Sequence, residues 1–269
     1  MSLIDLFIEV SIADAIALKV LLGAIFGLFL GLTGVGGGVL LIPLLQVFCE
    51  MHTVLAVGTA SIISALVKIN ASYSHIRAQN VSWQAVTYLF LGAVPLTFIA
   101  TQVVIYFSNH PMHEQTTQNI VSGLVICVMV GALTSIIIKL RQCNIRSETH
   151  SPASKTTTLI SGMVCGSVLG STGVGGGILL LPVLNTILKV DIKRAIGSSV
   201  VLALFLSSIA ALSYARGGQA DFVTAILFVV GSFFGVPVAT RLLGRLSEKV
   251  IYFITMSVIC CSLALTIFV

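Results

Sequence analysis

The chain has 269 residues, of which 57% are hydrophobic and only 9% charged, with a mean hydropathy of +1.11. A soluble globular domain carries roughly 25% charge, so a chain this apolar cannot cover itself in water and a soluble class is excluded. The formal net charge of +5 needs no nucleic acid to explain it, because membrane proteins collect Lys and Arg in their cytoplasmic loops.

In chain order, Met1–Asp14 carries Asp5, Glu9 and Asp14 and lacks both a basic start and an A-x-A cleavage pattern. It reads as mature protein lying amphipathic at the interface ahead of the first span, or else as an extension of that span. Apolar segments follow at 15–32, 39–49, 54–76, 84–107 and 118–140. After a polar, basic, Ser/Thr-rich linker at 141–156 they resume at 157–171, 178–189, 195–215, 222–242 and 250–268. Most approach the roughly 20 residues that cross a bilayer core. The six cysteines show neither C-x-x-C spacing nor a disulfide framework and read as small apolar helix residues.

The two series are copies of one unit. Gly31-Leu-Thr-Gly-Val-Gly-Gly-Gly-Val-Leu-Leu-Ile-Pro43 returns 139 residues later as Gly170-Ser-Thr-Gly-Val-Gly-Gly-Gly-Ile-Leu-Leu-Leu-Pro182. The same offset pairs Ala56 with Ala195, Gly58 with Gly197, Ser74 with Ser213, Arg77 with Arg216, Gly92 with Gly231 and Thr101 with Thr240. Residues 1–140 therefore form a first repeat and 157–269 a second.

Loop charge sets the expected topology. With four crossings per unit, twelve loop-flanking cations divide evenly and violate the positive-inside rule. If 15–49 and 157–189 each enter and leave on one face, eleven of the twelve share a side and only Arg216 lies opposite. The expected fold is an all-α polytopic membrane protein of two inverted repeats. Each has a Gly-broken, re-entrant helix and three transmembrane helices, with the acidic N-terminal stretch outside.

The breaks carry the chemistry. Irregular backbone inside lipid survives only against protein or a water-filled cavity. Gly34, Gly36, Gly37 and Gly38, with Gly173, Gly175, Gly176 and Gly177, leave amides bare to a ligand, and the short helix after each break presents a positive N-terminus. An anion fits. Thr33 and Thr172 precede the breaks, where a hydroxyl caps the backbone or binds an oxyanion, and Pro43 and Pro182 are expected in the first turns of the short helices. Glycines used only for close helix packing are the plainer alternative. Neither nucleotide motif fits: no Lys-Ser/Thr follows, and the G-x-G-x-x-G pattern fails at Val39 and Ile178.

These paired G-x-x-G-x-G-G-G-x-x-x-x-P stretches, duplicated over nearly the whole chain, resemble the sulfite exporter TauE/SafE family. The resemblance implies a transporter of sulfite, sulfonates or related organosulfur anions, in a multi-pass arrangement in a cell membrane, the bacterial inner membrane in particular. Composition alone implies only an anion.

Further candidates flank the breaks. Thr59 and Ser61, with Ser198 and Ser199, open the next helix of each unit, beside the cavity or as packing contacts. Asn70 and Lys68 share a polar face, where snorkelling explains Lys68 as well as solute contact does. Arg77, Arg216 and His75 are placed as gating or electrostatic residues. None of the nine acidic residues falls in mid-span, so a coupling proton would travel on a weak-acid substrate or through His75. His110 and His113 lack further ligands, and no metal, cofactor or catalytic constellation is expected. The expected partners are a small anionic solute, the bilayer and protons as coupling ion. An anion channel is the alternative within transport, and a membrane-embedded enzyme is the competitor from another class.

Overall fold

The computed structural model describes residues 3–33, 38–141, 155–174, 176–243 and 248–268, and every regular element among them is helical. In order these are α1 (Leu3–Thr33), α2 (Gly38–Cys49), α3 (Thr53–Arg77), α4 (Trp83–Ser108) and α5 (Glu114–Arg141). The second series is α6 (Lys155–Thr172), α7 (Gly176–Pro182) with a π-turn at Val183–Ile187, α8 (Ile192–Arg216), α9 (Phe222–Leu243) and α10 (Glu248–Phe268). Among the described residues six helices are long and apolar enough to span: α1, α3, α4, α5, α8 and α9. The acidic N-terminal stretch is continuous with the helix of the first span, since α1 runs from Leu3.

The prolines do not open the short helices. Pro43 lies inside the twelve-residue α2. Pro182 ends α7, and because proline lacks an N–H and crowds the preceding turn, the helix widens there. The Leu188 N–H reaches back to the Val183 carbonyl at 2.9 Å. Asn185 Nδ2 then donates to the Val190 carbonyl (3.1 Å) and closes the turn.

Repeat-equivalent turns adopt the same backbone. Gln79 and Gly218 are left-handed (φ 55° and 73°), as are Glu50 and Lys189 (φ 52° and 57°). Each pair is 139 residues apart.

Helix packing exchanges partners between halves. Gly23, Gly27 and Gly31 on α1 meet Phe228, Ser232 and Ala239 on α9 in ascending order, so these helices run parallel. Gly162, Gly166 and Gly170 on α6 meet Leu89, Ala93 and Thr97 on α4 the same way. A methyl group at Gly27 would lie 2.7 Å from the Ser232 Cα; without a hydrophobic drive in lipid, such close backbone approach is what holds helices together. Thr97 adds an interhelical bond to the Gly166 carbonyl (3.0 Å).

The central pair, α3 and α8, is antiparallel. Gly58 sits against Tyr214 at one end, and Ser72 Oγ donates to the Val200 carbonyl at 3.5 Å at the other. Symmetric locks tie each to the other half: the Asp221 N–H donates to Thr59 Oγ1 (3.0 Å) and the Ser82 N–H to Ser198 Oγ (2.8 Å). Large apolar side chains such as Phe98, Val103, Phe233 and Phe234 point outward, as lipid contact requires.

Candidate functional site

The two breaks meet. A Cβ on Gly38, the first residue of α2, would stand 2.6 Å from the Gly173 carbonyl oxygen and 2.9 Å from the Val174 Cα. Only glycine lets the start of α2 touch the second break this closely, and Gly173 is itself left-handed (φ 63°). Gly34, Gly36, Gly37 and Gly175 lie outside the described residues, as do the Thr33 side chain and most of the linker. Gly176 and Gly177 open α7.

Two amides of the second break are already engaged. The Gly173 N–H donates to the Leu169 carbonyl (2.8 Å), and the Val174 N–H donates to Thr172 Oγ1 (3.2 Å). The Thr172 hydroxyl, fully buried, donates to the Val168 carbonyl at 2.6 Å. Thr172 therefore caps the end of α6. The first-turn amides of α2 and α7 lack intrahelical acceptors by helix geometry. Tyr214, 0% exposed, donates its hydroxyl to the Gly170 carbonyl (2.8 Å) and pins the approach to the break from α8.

The flanking hydroxyls divide by role. Thr59 and Ser198 accept the backbone locks described above, so they hold scaffold. Ser61 is buried beside Gly173 and donates to the Val57 carbonyl (2.8 Å), while Ser199 donates to the Ile196 carbonyl (2.8 Å). Positions 57, 61, 64, 68 and 72 share one face of α3, and all five are buried. That face carries Lys68, 9% exposed, two turns beyond Ser61. Its ammonium donates to Ser64 Oγ and, among the described residues, meets no carboxylate. Asn70 is exposed on another face, His75 is half-buried, and Arg77 and Arg216 end α3 and α8 in exposed positions at opposite ends of the central pair.

Around each end of that pair lie charges. Lys19 Nζ donates to Thr224 Oγ1 (2.7 Å), and Asp221 caps α9 by accepting from the N–H groups of Val223 (2.9 Å) and Thr224 (3.1 Å) and from Thr224 Oγ1 (2.6 Å). Burial pushes the Asp221 carboxyl up, but the Thr224 and Val223 hydrogen bonds and the Lys19 charge outweigh it, leaving its pKa below the usual value. At the other end, Lys155 at the start of α6 and Lys189 after the π-turn line one cavity with Ser82 and Arg194. The second broken segment therefore begins and ends at one place. Sequence reasoning missed this clustering, and also missed the four-residue glycine spacing at 23, 27, 31 and 162, 166, 170, which was visible as two G-x-x-x-G-x-x-x-G stripes at the repeat offset.

A family model described as Sulfite exporter TauE/SafE matches residues 19–266. The chain belongs to this family. YjnA of Bacillus subtilis (strain 168), called a "Probable membrane transporter protein", is 28% identical over 89% of this chain and 95% of its own length. A protein of the same description from Haemophilus influenzae is 26% identical over 76% of this chain and 75% of its own length. One from Xylella fastidiosa is 27% identical over 84% of each. No solved structure matches the chain. This TauE/SafE member is thus a multi-pass cell-membrane protein and a membrane transporter.

Proposed function

We propose that this TauE/SafE transporter exports a small sulfur-containing anion, of the sulfite or organosulfonate class, across the bacterial inner membrane by alternating access. The anion is held where the two glycine-rich breaks meet. The observation that carries the reading is the contact of Gly38 with Gly173 and Val174. It brings the positive N-terminus of α2 against the second break. Buried Lys68, on the same α3 face as Ser61, meets no carboxylate among the described residues, and an ionisable residue within a span is a functional candidate by its cost alone.

The halves are read as inverted copies, 1–140 and 157–269, joined by the linker 141–156. Support comes from the antiparallel run of the equivalent helices α3 and α8 and from the crossed parallel pairs α1/α9 and α4/α6. A site shared by inverted repeats is the arrangement that rocking of one half against the other exposes alternately. The basic end, with Arg77, Lys155, Lys189 and Arg194, is cytoplasmic by the positive-inside rule, and anions gathered there leave the cell. A proton bound to the weak-acid substrate supplies coupling.

A thermal-shift screen of purified protein against sulfite, sulfate, thiosulfate, sulfonates and carboxylates tests the site, since a ligand stabilises the folded state by mass action. Stabilisation by sulfur oxyanions is expected, and indifference to every anion would refute the reading. Flux into proteoliposomes with and without an imposed pH gradient tests coupling, and equal flux excludes it.

A further inference from the structure

A cavity of about 490 Å³ opens at the basic end of the molecule, where α4, α6 and α8 all begin. Lys155, Lys189 and Arg194 converge on it, with Ser82, Tyr88 and Asp191. Among the described lining residues Asp191 is the only acid, and its carboxylate accepts the Lys193 N–H of its own helix at 3.2 Å. Lys155 lies over the Tyr88 ring, 5.7 Å from its centroid, which holds the ammonium at the wall. Ser82 stands at the N-cap of α4 without a side-chain cap bond. Three helix N-termini add their partial positive charge to the three cations.

The other half supplies an internal control. At the repeat offset, Lys155 corresponds to Ile16, Lys189 to Glu50, Arg194 to Leu55, and Asp191 to His52. Lys189 and Glu50 share the same left-handed backbone, so the turn is conserved in shape and reversed in charge. At the opposite end Lys19 is engaged by Thr224 and lies within electrostatic reach of Asp221, and Arg216 is exposed at the end of α8. The equivalent mouth therefore lacks the three converging cations and carries Glu50 where this one has Lys189.

We propose that this cavity is an anion-binding vestibule that takes a small oxyanion from water at the basic face and loads it toward the central site. This rests on the transport reading for the anion's destination, but not for its binding. A positively lined cleft with low-dielectric walls raises the local concentration of anions and their arrival rate.

Trp83, the single tryptophan of the chain, is 54% exposed and lies in sequence between the lining residues Ser82 and Gln84 without lining the cavity itself, so its fluorescence reports the anion concentration at that mouth. In nanodiscs of phosphatidylcholine, iodide should quench Trp83 strongly, and sulfate should relieve that quenching saturably beyond a perchlorate control of matched ionic strength. In the variant K155I/K189E/R194L, which installs the residues of the opposite mouth, both effects should vanish while neutral acrylamide quenches as before. The single variant K189E should give an intermediate result. Equal iodide quenching in wild type and both variants overturns the proposal. Loss of the sulfate effect when phosphatidylglycerol is included assigns the cavity to a lipid phosphate and overturns the loading role. In proteoliposomes the triple variant should raise KM about tenfold for solute presented at the basic face, with KM at the other face unchanged. Equal KM values at both faces likewise overturn it. A wild-type protein that moves no sulfur anion would defeat the transport reading alone, since the Trp83 measurements decide the vestibule by themselves.

Discussion

The two halves of this transporter share helix order and two left-handed turns and differ in chemistry. Where they agree, residues hold helices together: Gly58 and Gly197 each sit against the turn of the other half, and Thr59 and Ser198 each accept that turn's N–H. Where they differ, the side chains are charged or bulky: Lys68 against Ser207, Tyr214 against His75, Lys189 against Glu50. Equivalent positions at the halves' mutual contacts must satisfy the same geometry, so they stay alike. Positions outside those contacts carry no such shared constraint, so they are free to diverge.

The strongest test of the shared scaffold is a side chain at Gly58 or Gly197. A Cβ would overlap the Gln219 or the Asn80 carbonyl oxygen, and neither is a flexible atom. Gly58→Val and Gly197→Val should each cost more than about 3 kcal/mol, the upper range of overpacking, seen as loss of the thermal unfolding transition in detergent. A tolerated valine at one position and not the other would break the equivalence.

The divergent positions should respond unequally. Lys68→Met should weaken anion affinity roughly 10- to 100-fold, the weight of a hydrogen bond to a charged group, with the thermal transition retained. Ser207→Ala, at the equivalent place on α8, should change affinity less than about twofold, because it removes no charge. Equal effects in isothermal binding would reassign Lys68 to a snorkelling role.

A smaller effect is expected at Tyr214, whose buried hydroxyl satisfies the Gly170 carbonyl. Tyr214→Phe should destabilise by about 1 kcal/mol, whereas His75→Phe should stay within roughly 0.5 kcal/mol. Thermal unfolding of the two variants side by side reads the difference.

The smallest concerns the caps. Asp221 begins α9 with a carboxylate held below its usual pKa, whereas its equivalent Ser82 does not titrate. A group whose folded pKa lies below its unfolded value contributes stability above the unfolded pKa and loses it as pH falls through the folded one. The melting temperature should therefore drop as pH falls below the ordinary carboxylate range, and Asp221→Asn should flatten that step. An unchanged pH profile in the variant would assign the drop to other carboxylates.

Much of this is legible in the order of residues alone. Repetition of Gly31–Pro43 at Gly170–Pro182 announces the duplication, and the segment bounds fall within a few residues of the helices, except that α1 begins at Leu3 rather than 15, because a membrane allows little else to apolar runs. Thr172 is legible as a backbone cap, and it bonds Val168 and Val174 close by in the chain; Thr59 and Ser198 are legible only as polar residues near the breaks, because the N–H groups they accept belong to the other half. Pro182 was misplaced because its effect depends on where α7 starts, which the glycine run leaves free.

By itself the sequence determined the membrane class, the two-copy architecture and the family, since hydropathy, periodic recurrence and a glycine motif are properties of residue order. Only the tertiary structure decided that Gly38 touches the second break, that α1 packs on α9 and α6 on α4, and that Lys155, Lys189 and Arg194 share one cavity. Those contacts join positions tens to hundreds of residues apart, and close packing of bare backbone, which leaves no local signature of its partner, selects among them.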